Sequence, residues 1–154
     1  MRGIPSKVTF FKHPIHPMLV GFPTAFLLGA CLADLALFFT RDFFWVRAAY
    51  WLLIAGVPLG LLAGLVGLID FFSIARANTH GSGWSHLITN VIVLALAALN
   101  LSLRLENPGG YVLFLGLRLS VLTAVLMLIG NWHGGELSFG QGIGMFGRGS
   151  EEAT

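Results

Sequence analysis

Five histidines fall at three places along this chain, each beside an apolar stretch: His13 and His16, His80 and His86, and His133. His13-Pro14-Ile15-His16-Pro17 sets two imidazoles three residues apart, between prolines that fix the backbone and donate nothing. His86 and Asn90 are four apart and share a helix face. Asp70 closes the second apolar stretch, and Glu136 follows the fourth in Trp132-His133-Gly134-Gly135-Glu136. Neutral imidazole suits zinc, copper and iron, and carboxylates suit harder ions or orient the imidazoles. Two imidazoles on facing helices hold a b-type haem axially. Two with one carboxylate hold zinc or non-haem iron. The expected site is a transition metal or haem b on His16 and His86. Asp70 and Glu136 orient them or complete the shell, and His13 is the reserve ligand. No Cys-x-x-Cys-His or His-Glu-x-x-His motif names the metal. A cofactor-free reading stands beside it, in which the same polar residues form a hydrogen-bonded lock between helices. His80, in a Gly/Ser loop, reads as a residue facing water.

These residues meet only if the chain brings its three histidine regions to one end, and its apolar segments do that. The chain is 56% hydrophobic and 10% charged, against about 25% charged in a soluble domain. Its mean hydropathy is +0.82. A soluble fold of 154 residues could not hide so much apolar surface. Four stretches suit membrane spans, at about 18–39, 44–71, 86–103 and 111–132. An even number of spans puts both termini and all five histidines on one side. The expected fold is all-α, a single-domain four-helix membrane bundle, with a polar tail over 140–154. Asn78-Thr79-His80-Gly81-Ser82-Gly83 reads as the longest loop and Asn107-Pro108-Gly109-Gly110 as a tight turn. The histidine side carries Arg2, Lys7, Lys12, Arg76 and Arg148, against Arg41, Arg47, Arg104 and Arg118 opposite. That difference points to the histidine end as cytoplasmic, in a bacterial inner membrane.

The far end carries a second polar cluster. Asp34 lies about two turns inside the first span, where an unpaired Asp costs roughly 2.5–3.5 kcal/mol. Arg47 and Arg118 stand at matching depth and read as its partners in a structural ion pair. Small residues repeat every fourth position at Gly21, Ala25, Gly29 and Ala33, at Gly56, Gly60 and Gly64, and at Gly116, Ser120 and Ala124. Such stripes let helices approach closely, inside the bundle, against a flat macrocycle, or against a membrane partner or second copy. Cys31 reads as a small buried residue in the first span.

The motifs His13-Pro14-Ile15-His16-Pro17, Phe44-Trp45-Val46-Arg47, Gly67-Leu68-Ile69-Asp70, His86 to Asn90, and Gly134-Gly135-Glu136-Leu137 with Gly142-Ile143-Gly144 resemble domain-of-unknown-function family 2231. The resemblance runs along nearly the whole chain and implies a small bacterial four-span membrane protein. It brings no activity. Some relatives look to be joined to Rieske-type iron–sulfur domains, which implies redox work beside a partner. His133 is less typical of the family than His16 and His86.

Composition and motifs narrow the function classes. The net charge of +2, with no basic run, points away from nucleic acid. No nucleophile–base pair or phosphate loop suggests an enzyme on a soluble substrate. Four short spans without a pair of broken helices leave little room for a transporter. Two readings remain: a metal or haem protein assisting membrane electron transfer, or a cofactor-free accessory subunit of a larger membrane complex.

Overall fold

The computed structural model describes residues 4–107 and 112–143. A two-residue strand β1 (Thr9–Phe10) pairs antiparallel with β2 (His13–Pro14), and α1 (Ile15–Thr40) follows at once. Then come α2 (Phe44–Ser73), the short α3 (Ala75–Thr79), α4 (Gly81–Glu106) and α5 (Leu117–Gly135). Single π-helical turns, Val112–Gly116 and Glu136–Gly140, extend α5 at both ends. Among the described residues four helices are long and apolar enough to cross a membrane: Ile15–Thr40, Phe44–Ser73, Gly81–Glu106 and Phe114–Gly140. The fold is an all-α membrane bundle.

α1 packs on α2, α2 on α4, α4 on α5, and α5 back on α1, so the spans follow one another around the bundle. Leu27 and Ala30 of α1, Leu53 and Val57 of α2, Val93 and Ala97 of α4 and Met127 of α5 form the buried centre. Most large apolar side chains outside this centre stay exposed, Leu65, Ile88, Val91 and Leu128 among them. A bilayer covers such a surface, as water would not.

Three boundaries differ from the sequence expectation. α1 begins at Ile15, so His16 lies inside its first turn. The residues before it form a hairpin whose turn, Phe11 and Lys12, holds φ of 46° and 64°; two left-handed residues between antiparallel strands make the tight turn that matches strand twist. The polar segment 78–83 is mostly helical. Gly83 packs against α3 so closely that a Cβ there would lie 1.9 Å from the Ala77 carbonyl oxygen. Trp84 Nε1 donates to Asn78 O at 2.9 Å, and its ring meets Phe71 with centroids 5.0 Å apart. The last span runs on to Gly140, because Gly134 and Gly135 are accommodated in the helix. The start of that span at Tyr111, the turn at Pro108-Gly109-Gly110 and the tail beyond Ile143 lie outside the described residues.

The glycine stripe of α2 is used within the bundle. A Cβ on Gly56 would meet Leu27 at 3.0 Å and Phe26 at 3.2 Å, and one on Gly60 would meet Leu94 at 2.5 Å. At these two positions the wall is covered by side chains of α1 and α4. Gly21 and Ala25 of the α1 stripe are exposed instead.

Candidate metal site at the histidine end

His16 projects from the first turn of α1 toward α2, and its Nδ1 lies 2.9 Å from the carbonyl oxygen of Ala63. His86 projects from α4 toward α5, and its Nδ1 lies 2.8 Å from the carbonyl oxygen of Gly130. A carbonyl only accepts, so each Nδ1 is the protonated nitrogen. In the neutral ring each Nε2 then carries a lone pair. Asn90 Nδ2 donates to the His86 carbonyl at 2.8 Å. Its 3.3 Å approach to His86 Nδ1 is a contact between two donors.

The two rings face one another across the bundle with centroids 6.2 Å apart and planes at 84°. Two glycines make this possible. A Cβ on Gly67 of α2 would lie 2.6 Å from His16 Cε1, and one on Gly134 of α5 would lie 2.8 Å from His86 Cε1. Each imidazole therefore occupies the space of a missing side chain. The pair borders two small cavities. One, of about 80 Å³, runs inward past Thr24, Leu27, Asn90 and Met127. The other, of about 90 Å³, opens toward the bundle end past Asp70, Ile74, Leu137 and Ile143.

The other expected ligands go elsewhere. Both carboxylate oxygens of Asp70 are taken by the N-terminal segment: Ser6 Oγ and the amides of Lys7 (2.8 Å) and Val8 (3.2 Å) donate to them. Glu136 is exposed, 3.8 Å from His133 Nδ1 on the same helical run. That is ion-pair distance but too long for a hydrogen bond, and such exposed pairs contribute little. His13 is exposed on β2 and lines neither cavity. His80 Nδ1 approaches Arg76 O at 2.8 Å in the exposed α3 region. Among the described residues no group of three or more His, Cys, Asp or Glu is placed to hold a metal ion. The five expected ligands therefore do not come together as one group, and of them only His16 and His86 have rings that meet.

At the far end Asp34 pairs with Arg104, not with Arg47 or Arg118. Arg104 Nη2 donates to Asp34 Oδ2 at 2.6 Å, with both side chains buried. Ser120 Oγ donates to the same oxygen at 2.6 Å. Asn100 Oδ1 accepts from Arg104 Nε at 3.0 Å, and its amide donates to Ser120 Oγ at 2.8 Å. Helix rotation explains the difference. Arg118 is two residues from Ser120 and Arg47 two from buried Ala49, each about 200° around its helix, and both are exposed. Arg104 is four residues from Asn100, on the same inward face.

Sequence reasoning missed Arg104, Ser6 and the two ring-accommodating glycines. The hydrophobic pattern could have found Arg104, because it continues the buried row Val93, Ala97, Asn100. Carbonyl partners such as Ala63 O carry no side-chain signal.

Comparison with known proteins gives one match: the family described as "Predicted membrane protein (DUF2231)" covers residues 12–147. No curated protein and no solved structure matches the chain.

Proposed function

We propose, for a chain that belongs to the DUF2231 family of predicted membrane proteins, that His16 and His86 together bind one transition-metal ion. The observation that carries this reading is the commitment of both Nδ1 atoms to backbone carbonyls. A metal-binding histidine is commonly held this way: the second nitrogen donates to a carbonyl or carboxylate, fixing the tautomer and leaving Nε2 for the ion. The ring spacing is compatible with it: centroids 6.2 Å apart lie within the ordinary range for edge-on rings and also leave room for an ion between two nitrogens at about 2.0–2.1 Å each. His16 is the second residue of α1, near the end of the bundle, where a metal could exchange electrons with a partner outside the membrane. The working role is metal-assisted electron transfer beside a larger membrane protein. The histidine end faces the cytoplasm of a bacterial inner membrane in this reading.

A cofactor-free subunit is the second reading, and one observation favours it: each imidazole already ties two helices of one hairpin through a carbonyl. One substitution separates the two. In His86→Asn the side-chain amide reproduces the Nδ1 donor and lacks Nε2. The metal reading expects wild-type protein, purified without chelator, to carry about one transition metal per chain, and His86→Asn to carry none while melting near the wild type. Metal-free wild type that reloads with no ion would leave the lock as the function of both histidines.

A further inference from the structure

The far-end network leaves three buried polar atoms over. Asp34 Oδ2 takes two hydrogen bonds, from Arg104 Nη2 and from Ser120 Oγ, each at 2.6 Å. Asp34 Oδ1, Arg104 Nη1 and Thr123 Oγ1 have no hydrogen-bond partner among the described residues. All three side chains are buried, at 3% exposure or less. The Arg104 Nε–H goes to Asn100 Oδ1 at 3.0 Å, so the guanidinium meets the carboxylate at one point and not as a two-point fork. Thr123 is one turn along α5 from Ser120, on the same face. A threonine within a helix commonly returns its hydroxyl to a carbonyl of the preceding turn. That of Thr123 does not.

Buried polar atoms of folded proteins are nearly all hydrogen-bonded, to protein or to ordered water. The lipid core offers neither donor nor acceptor at this depth. The chemistry of the three atoms decides what completes them. A carboxylate oxygen only accepts, a guanidinium nitrogen only donates, and a hydroxyl does both. A cation suits Asp34 and is repelled by Arg104, and an anion suits Arg104 and is repelled by Asp34. A small neutral molecule that both donates and accepts serves the whole set, and water is the smallest such molecule. Water at about 2.8 Å from each of two atoms joins groups up to about 5.6 Å apart. Side chains one turn apart on a helix are about 5–6 Å apart, so water at Asp34 reaches the level of Thr123.

We propose that the far-end network is an internal water site, in which water donates to Asp34 Oδ1, accepts from Arg104 Nη1 and bonds Thr123 Oγ1. The water brings Thr123 into the network and adds a second link between α1 and α5. It owes nothing to the histidine pair at the other end.

A crystal structure of the full chain from a lipidic phase, at a resolution that shows ordered water, reads the site directly. The expected result is water density about 2.6–3.2 Å from both Asp34 Oδ1 and Thr123 Oγ1. No density there, or direct pairing of these atoms with one another, would overturn the site. Thermal unfolding in detergent reads the link to Thr123. Thr123→Val keeps the shape of the side chain and removes the hydroxyl. It should lower the melting temperature by about 3 °C or more in the otherwise wild-type protein. In the Asp34→Leu/Arg104→Met background the same change should cost less than about 1 °C. Equal losses in the two backgrounds would make Thr123 a packing residue and overturn its place in the site. The crystal structure decides the matter whether or not the double variant folds.

Discussion

At the residue scale the site is a matter of tautomer and of missing Cβ atoms. The Ala63 and Gly130 carbonyls set which nitrogen of each imidazole is protonated, and Gly67 and Gly134 provide the room each ring occupies. His16 and His86 stood out in the sequence because polar side chains at helix ends that point into a bundle usually have partners. The glycines did not stand out. A glycine that accommodates a ring reads like one that lets helices pack. Their importance is testable at Gly67. A Cβ there would press on the ring of His16 at 2.6 Å, and forced overpacking costs about 1–3 kcal/mol. The ring, held at 2.9 Å by Ala63 O on the same helix, cannot withdraw without losing that bond. Gly67→Ala should lower the melting temperature and reduce metal loading at least tenfold, measured by thermal unfolding in detergent and metal analysis. Gly21→Ala, with nothing within 4 Å of the added atom, should change neither. Equal loading in the two variants would mean that the pair does not depend on this close fit.

At the scale of elements, the far-end network joins three of the four spans through Asp34 of α1, Asn100 and Arg104 of α4 and Ser120 of α5. The sequence conveyed that Asp34 needs a cation at its depth, which is a matter of membrane energetics. It did not convey which arginine, because three of them lie near the same level and only helix rotation separates them. The four spans were legible because each is a long apolar run. The helical form of 78–83 was not, since Gly, Ser and Asn signal turns, whereas packing of Gly83 on α3 and of Trp84 on Phe71 decides the outcome. Removing one member of a buried ion pair leaves an uncompensated charge and costs about 3–5 kcal/mol. Arg104→Leu should therefore destabilise the protein by about that much. Arg47→Ala and Arg118→Ala, at exposed positions, should each stay within about 0.5 kcal/mol of the wild type. The double variant Asp34→Leu/Arg104→Met removes both charges and should recover most of the loss. Reversible unfolding in mixed micelles measures all four. A large loss from Arg118→Ala would place the working partner of Asp34 on α5 and refute the Arg104 pairing.

Across the whole molecule, the first and last described residues meet at the histidine end. Ile4 forms a parallel bridge with Ile143, its amide donating to Gly142 O at 2.8 Å. Gly142 supplies the positive φ of 69° that this turn requires. Ile4 and Ile143 pack with Phe71, Ile74, Ala77, Leu87 and Leu137. The segment from Ile4 to Val8 is fastened to α2 through the Asp70 carboxylate. That residues before the first span and after the last share one side follows from an even number of spans, but the pairing of Ile4 with Ile143 joins segments far apart in the chain and leaves no local mark in the sequence. Asp70, expected beside a metal, instead fastens the N-terminal segment, a strap, to the end of α2. Asn at this position offers one acceptor oxygen where the carboxylate offers two, and its amide faces donors. In Asp70→Asn the strap should open while the bundle stays folded. Trypsin reports it directly, because Lys7 lies on the strap and Lys12 in the exposed hairpin turn. Cleavage after Lys7 should speed up at least tenfold relative to the wild type, with cleavage after Lys12 little changed and the melting temperature of the bundle shifted by only a few degrees. The selectivity is the point of the measurement. Faster cleavage at both lysines with a large drop in melting temperature would make Asp70 a general support of the bundle end, and unchanged cleavage at Lys7 would mean that the strap holds without it.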